Sequence, residues 1–156
     1  MRSTALALLV LVAGCRAEAP APDAPAGALL ENGVVVHEPW ARPVSGADTV
    51  RVHSAVYFTL ENRGPGAVEV VGARSNVAQR TEIHETTLED GIMRMRARES
   101  VHVPAGESVR FEPAGLHVML LQVRRDLVAG DSLTLVLEFA DGEEQDVPVV
   151  VRPPAG

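Results

Sequence analysis

His84, Met95, His117 and Met119 are the side chains of this 156-residue chain whose types and spacing can do chemistry; they run His-x10-Met-x21-His-x-Met. Three of the chain's four methionines, Met93, Met95 and Met119, fall in the stretch from 84 to 119 with three of its five histidines, His84, His102 and His117. Thioether sulfur is a soft ligand and imidazole a borderline one. Together they suit Cu(I) far better than Mg²⁺, Ca²⁺ or Mn²⁺. No thiolate joins them, because the only cysteine is Cys15, near the N-terminus. A blue-copper electron-transfer site needs a cysteine ligand, so the set reads as a copper-holding site of neutral donors rather than a redox centre.

The elements that must position these residues read as strands. Short runs rich in Val, Ile, Leu and Thr recur at Val34–His37, His53–Glu61, Val68–Ala73, Thr81–Thr86, Met93–Arg98, Val101–Val103, Ser108–Glu112, His117–Val123, Ser132–Phe139 and Gln145–Val151. Turn signals separate them, among them Glu89-Asp90-Gly91, Pro104-Ala105-Gly106 and Pro113-Ala114-Gly115. No stretch keeps a 3.6-residue apolar period over helix length, whereas Leu133, Leu135, Leu137 and Phe139 alternate onto one face. Many short antiparallel strands at this spacing imply an all-β, single-domain Greek-key sandwich or barrel.

On that frame His117 and Met119 lie two apart on one strand, so their side chains share a face and Val118 and Leu120 point to the core. Met93 and Met95 likewise share a face, opposite Arg94 and Arg96. A hairpin from Thr81 to Arg98 brings His84 near Met93 or Met95 across the ladder. His117 and Met119 then approach from a neighbouring strand. A single methionine in a β-domain is usually core filler, and a single histidine is usually satisfied or exposed. His37, His53 and His102 stay in that class, with no methionine or cysteine at supporting spacing. Two histidines converging on a methionine pair are harder to explain by packing.

The chain's first part reads as an export and anchoring signal. Arg2 supplies a positive start, Ala5 to Ala13 an apolar run, and small residues lead into Cys15, so residues 1–14 read as a lipoprotein signal peptide and Cys15 as the lipid-acceptor residue. The apolar run falls short of the roughly 20 residues a spanning helix needs. Residues 15–28 are rich in Ala and Pro and form a tether. Residues 29–152 are long enough for one domain with a proper core, and 153–156 form a short tail. This places the domain on the periplasmic side of a bacterial membrane, held by lipid. The formal charge is −7 and every basic residue is Arg, an acidic balance that argues against nucleic-acid binding. With one cysteine no intramolecular disulfide can form, so stability rests on the core.

These motifs resemble the PCuAC family of bacterial periplasmic copper chaperones. The likeness covers about Val34 to Val151 and is carried by the four spaced residues together with Pro39-Trp40-Ala41-Arg42-Pro43, Glu82-Ile83-His84-Glu85, Met93-Arg94-Met95-Arg96 and Gly115-Leu116-His117-Val118-Met119-Leu120. The resemblance implies a cupredoxin-like β-sandwich with Cu(I) near the surface, ligated by His84, Met95, His117 and Met119. Met93 is a possible extra or substitute ligand, and the ten-residue spacing is what favours Met95. It also implies delivery to the copper-centre subunit of cytochrome c oxidase, alongside a Sco-type thiol protein. Some members carry Met directly after the first His, where this chain has Glu85, and some carry a Met- and His-rich tail. The residues Val151 to Gly156 contain neither type, so no tail-borne second copper site is expected.

Neutral thioethers bind Cu(I) without losing a proton, and the two histidines need only be neutral, so such a site loads near pH 7 and weakens as they protonate. An acceptor bearing thiolates then outcompetes it. No Ser-His-Asp context, paired-acid motif or phosphate loop is present, so the expectation is a monomeric stoichiometric binder and not an enzyme. The rival readings are a copper buffer or resistance protein with the same ligands, and an anchored interaction module whose copper site is vestigial.

Overall fold

A computed structural model of the chain describes residues 33–47 and 52–154. The expected signal peptide, Cys15, the tether over 15–28, residues 29–32 of the expected domain and the last two residues of the tail lie outside the described residues.

Ten strands follow one another: β1 (Val34–Ala41), β2 (Ser54–Asn62), β3 (Val68–Ser75), β4 (Ala78–Glu89), β5 (Ile92–Ala97), β6 (Val101–Val103), β7 (Ser108–Phe111), β8 (Leu116–Val123), β9 (Ser132–Phe139) and β10 (Glu144–Val151). Each corresponds to a run expected from the sequence. The main differences are extensions. β1 continues to Ala41 through a bulge between His37 and Trp40, where Glu38 takes a φ of +49°. β4 runs twelve residues, because its second half is the long arm of a hairpin with β5.

The strands form one continuous sheet in the order β5-β4-β8-β7-β2-β1-β10-β9-β3-β6, with β8 also paired to β2. Most neighbours are antiparallel; β1 runs parallel to β10, and that pairing joins the two halves. The sheet folds over so that its inward faces meet. From one half come Val56, Phe58, Leu60, Ile83, Val118 and Leu120; from the other, Val70, Leu133, Leu135, Leu137, Phe139, Val147, Val149 and Val151, all buried in one cluster. Alternation along β9 and β10 is what one-sided burial requires of an antiparallel pair. Phe58 stacks on Phe111 at 4.3 Å between ring centroids, closing the core under β7.

Two local features set the site. The Asp90-Gly91 dipeptide closes the β4–β5 hairpin with φ of +51° and +78°, the left-handed pair of a two-residue turn, so Glu89 faces Ile92 and the register of the hairpin is fixed. The Pro113-Ala114-Gly115 turn, with Ala114 at φ +63°, feeds β8 into the sheet beside β4.

Candidate metal centre

The site is built on the outward face of β5, β4, β8 and β2. In the β4–β8 ladder His84 stands directly opposite His117, and Glu82 opposite Met119. In the β4–β5 ladder Thr86 stands opposite Met95, Leu88 opposite Met93 and His84 opposite Ala97. Directly paired residues of an antiparallel ladder point to the same face, so all five sequence-derived candidates, His84, Met93, Met95, His117 and Met119, share one surface. The intervening Ile83, Val118 and Leu120 point into the core.

The five are not equally close. His84 and His117 are direct neighbours, with ring centroids 5.9 Å apart at 67°. Met95 and Met119 flank the pair on opposite diagonals, one step up and one step down the ladder. Met93 stands opposite Leu88, and four residues at about 3.3 Å each put it roughly 13 Å along β5 from Ala97, the residue facing His84. The expectation that His84 meets Met93 or Met95 is thereby narrowed. Met95 is within diagonal reach of the histidines, whereas Met93 is one further step out.

Both imidazoles are oriented by a second partner. Nδ1–H of His117 donates to the carbonyl of Gly115 at 3.0 Å, and the same oxygen accepts the backbone N–H of Thr86 at 3.0 Å. That bond leaves the Nε2 lone pair of His117 as the free ligand atom. His84 does the reverse. Its Nε2 lies 2.8 Å from Oε2 of Glu82, and since a carboxylate only accepts, Nε2 carries the proton. Nδ1 of His84 is left buried with no hydrogen-bond partner. A buried polar atom without a partner is costly, about 1–3 kcal/mol, and calls for an occupant. Glu82 is held in turn by Arg80, whose Nε is 2.8 Å from the other carboxylate oxygen.

Electrostatics keep the ligand atoms available. His117 is 4% exposed and walled by Tyr57, whose ring lies 6.3 Å away and is itself covered by Trp40 at 4.5 Å. Burial pushes the His117 pKa below the usual imidazole value, so its neutral form dominates at pH 7. Burial raises the Tyr57 phenol. The His84 hydrogen bond holds the Glu82 carboxyl below the ordinary range, with Arg80 adding to the effect, so Glu82 is ionised when it orients the ring.

Among the described residues no three His, Cys, Asp or Glu side chains gather as a metal cluster. The donor types that share this face are imidazole nitrogens and thioethers, which suit a soft monovalent ion better than a hard divalent one. Sequence reasoning missed Glu82, Tyr57 and Arg80. Glu82 had a signal, since it lies two residues before His84 on a strand and so shares its face. His37 pairs with Glu61 at 2.7 Å, and His53 accepts the Gln122 N–H at 3.1 Å, each outside this constellation.

A model of the LpqE-like lipoprotein family matches residues 34–151. A protein of Leifsonia xyli subsp. xyli, named as a lipoprotein, is 31% identical over 154 residues, covering 97% of this chain and 89% of its own length. Among solved structures, the copper-bound PCuAC domain of PmoF2 superposes with a TM-score of 0.61 at 17% identity, over 78% of this chain and 93% of that domain. The Cu(I) form of DR1885 from Deinococcus radiodurans gives 0.58 at 26% identity, over 76% and 79%. The cupredoxin-like fold and the PCuAC resemblance read from the sequence are borne out.

Proposed function

The chain belongs to the LpqE-like family, and from that premise and the donor set on its outer face we propose that it is a Cu(I) metallochaperone, a stoichiometric carrier rather than an enzyme. Nδ1 of His84, Nε2 of His117 and the sulfurs of Met95 and Met119 hold one ion. The observation that carries this reading is the buried, partnerless Nδ1 of His84, facing His117 across the ladder on a surface that also presents two thioethers. Copper-bound and Cu(I)-bound neighbours of the same fold support it.

The mechanism is ligand exchange. With the ring protons held on Nε2 of His84 by Glu82 and on Nδ1 of His117 by the Gly115 carbonyl, the remaining lone pairs bind without displacing a proton from either neutral ring. Imidazole and thioether donors are weaker than thiolates toward Cu(I), so the ion moves downhill to a cysteine-bearing acceptor. The acceptor we propose is the copper-centre subunit of cytochrome c oxidase, with a Sco-type thiol protein as co-donor or intermediary. Lipid on Cys15 holds the monomeric carrier on the periplasmic side of the membrane, where the tether confines delivery to targets at the same surface.

The test is Cu(I) titration against a chromophoric chelator under reducing conditions, with the parent chain, Met95→Ala and His117→Ala, followed by incubation of the loaded protein with the apo copper-centre domain of the oxidase. One tight equivalent, weakened in both variants and passed to the oxidase domain, is the expected result. Binding without transfer would make the protein a copper buffer. Binding unchanged by both substitutions would refute the site.

A further inference from the structure

The donors differ sharply in how open they are. His117 is 4% exposed and the His84 side chain 15%, while Met95 and Met93 are each 53% exposed on β5. β5 is an edge strand with β4 as its one neighbour, and all six of its residues are exposed. The route by which an acceptor meets the ion therefore crosses β5, and Met93 is the next soft donor on that route. It lies two residues beyond Met95 on the same face, about 7 Å along the strand. It covers no core, so the usual packing role of a methionine does not account for it. Beside it stands Leu88, 67% exposed, directly opposite in the ladder. The charged residues of the hairpin point the other way: Arg94 and Arg96 lie on the reverse face, and both pair with Glu89. On the site face, Met93 is the donor that follows Met95.

We propose that Met93 is a transfer ligand: an outlying thioether that, with Met95, holds Cu(I) during exchange with an acceptor, outside the resting four-donor set. The inference rests on the Cu(I)-carrier reading above. In the step, the copper bonds to Nδ1 of His84, Nε2 of His117 and the sulfur of Met119 break, the bond to the sulfur of Met95 is kept, and a bond to the sulfur of Met93 forms. Copper stays Cu(I), and no proton moves because a thioether carries none. The ion is then held at the open edge by two flexible sulfurs, where a third ligand from the acceptor can join. A donor about 13 Å along the strand from the position facing His84 is too distant to share the resting site, so its contribution is to rate and not to equilibrium affinity.

Met93→Leu isolates the sulfur, since leucine keeps the size and apolarity of an exposed position that no core contact depends on. With the full chain purified in detergent, loaded with one Cu(I), transfer to bicinchoninate is followed by stopped flow over a range of chelator concentrations. Met93→Leu is expected to keep the parent's Kd within about twofold and to lower the slope of rate against chelator at least about threefold, while Met95→Leu weakens the Kd itself. An unchanged slope in Met93→Leu, with the parent binding one tight equivalent, overturns the transfer role and leaves the carrier reading standing. A weakened Kd in Met93→Leu overturns it as well, by placing Met93 in the resting site. A parent that binds no Cu(I) overturns the carrier reading and this inference together.

Discussion

Replacing Glu82 with leucine tests how the site selects its ligand atoms. The carboxylate accepts from Nε2 of His84 at 2.8 Å and so keeps the proton off Nδ1, the buried nitrogen that has no hydrogen-bond partner. Without it, the neutral ring can place its proton on either nitrogen, and the ligand atom is free only part of the time. Loss of a partner that orients a metal-bound histidine costs about 10–100-fold in metal affinity. Glu82 is about a third exposed, so water can replace part of what it supplies, and the lower end of that range applies. The expected loss is about tenfold, or ~1.4 kcal/mol. Glu82→Gln keeps an accepting oxygen and loses only the charge, so it should fall between parent and Glu82→Leu. Chelator competition reads the affinity, and a two-bond ¹⁵N–¹H correlation on the apo protein reads the tautomer directly. A parent whose His84 carries its proton on Nδ1 would refute the reasoning whatever the affinities are. So would Glu82→Leu binding Cu(I) as tightly as the parent.

Met95→Leu and Met119→Leu should each weaken Cu(I) binding by roughly tenfold or more, the worth of ~1.4 kcal/mol per lost donor, without moving the thermal midpoint of the apo protein; equal affinity in either variant removes that sulfur from the set. Burial depresses the His117 pKa below 6.5, so its neutral ring favours the folded state. That stability is fully present above the unfolded imidazole value and is lost as pH falls through the lowered folded value, so urea midpoints of the apo protein should decline below about pH 6.5, less steeply in His117→Gln. For the same reason Cu(I) affinity should hold between pH 8 and 7 and fall in acid, as protons compete for Nε2 of His117. In the core, Leu137→Ala removes a fully buried side chain of β9 and should cost about 2–5 kcal/mol in urea denaturation, with Cu(I) affinity in the folded protein unchanged.

All ten strands were legible as apolar runs between turn residues, because one-sided burial forces the alternation that β9 and β10 display. Their extent was less so. β4 reaches back to Ala78 and on to Glu89, and these flanks, such as Gln79-Arg80 and Thr87, carry no apolar pattern because their pairing is decided by β8 and β5. Of the site, identity and shared face were legible and proximity was not. The turn at Asp90-Gly91 was visible, and its two-residue geometry pairs Glu89 with Ile92. Counting back from that pair sets Thr86 against Met95 and His84 against Ala97, which separates Met95 from Met93 without any structure. The pairing of His84 with His117 has no such local signal. His117 follows His84 by 33 residues, and the register of β8 is chosen by which of its faces must bury Val118 and Leu120.

That dependence separates His84 and His117 from Met95 in how firmly each is held. β4 and β8 are flanked on both sides, and their inward residues Ile83, Val118 and Leu120 are locked in the core, so sliding either strand by one residue would turn the core outward. His84 and His117 therefore sit at fixed positions, and the Glu82 carboxylate and the Gly115 carbonyl fix which nitrogen each presents. Met95 rides on a strand that buries nothing, on a side chain with three rotatable bonds. In the proposed site, a rigid nitrogen pair would give the ion a preformed seat that needs neither proton loss nor strand movement. The sulfurs of the edge strand can swing away while that seat keeps its shape. Under the proposed exchange, an incoming thiolate would have one labile side to displace, and the fold sets that side, β5, at the rim of the sheet.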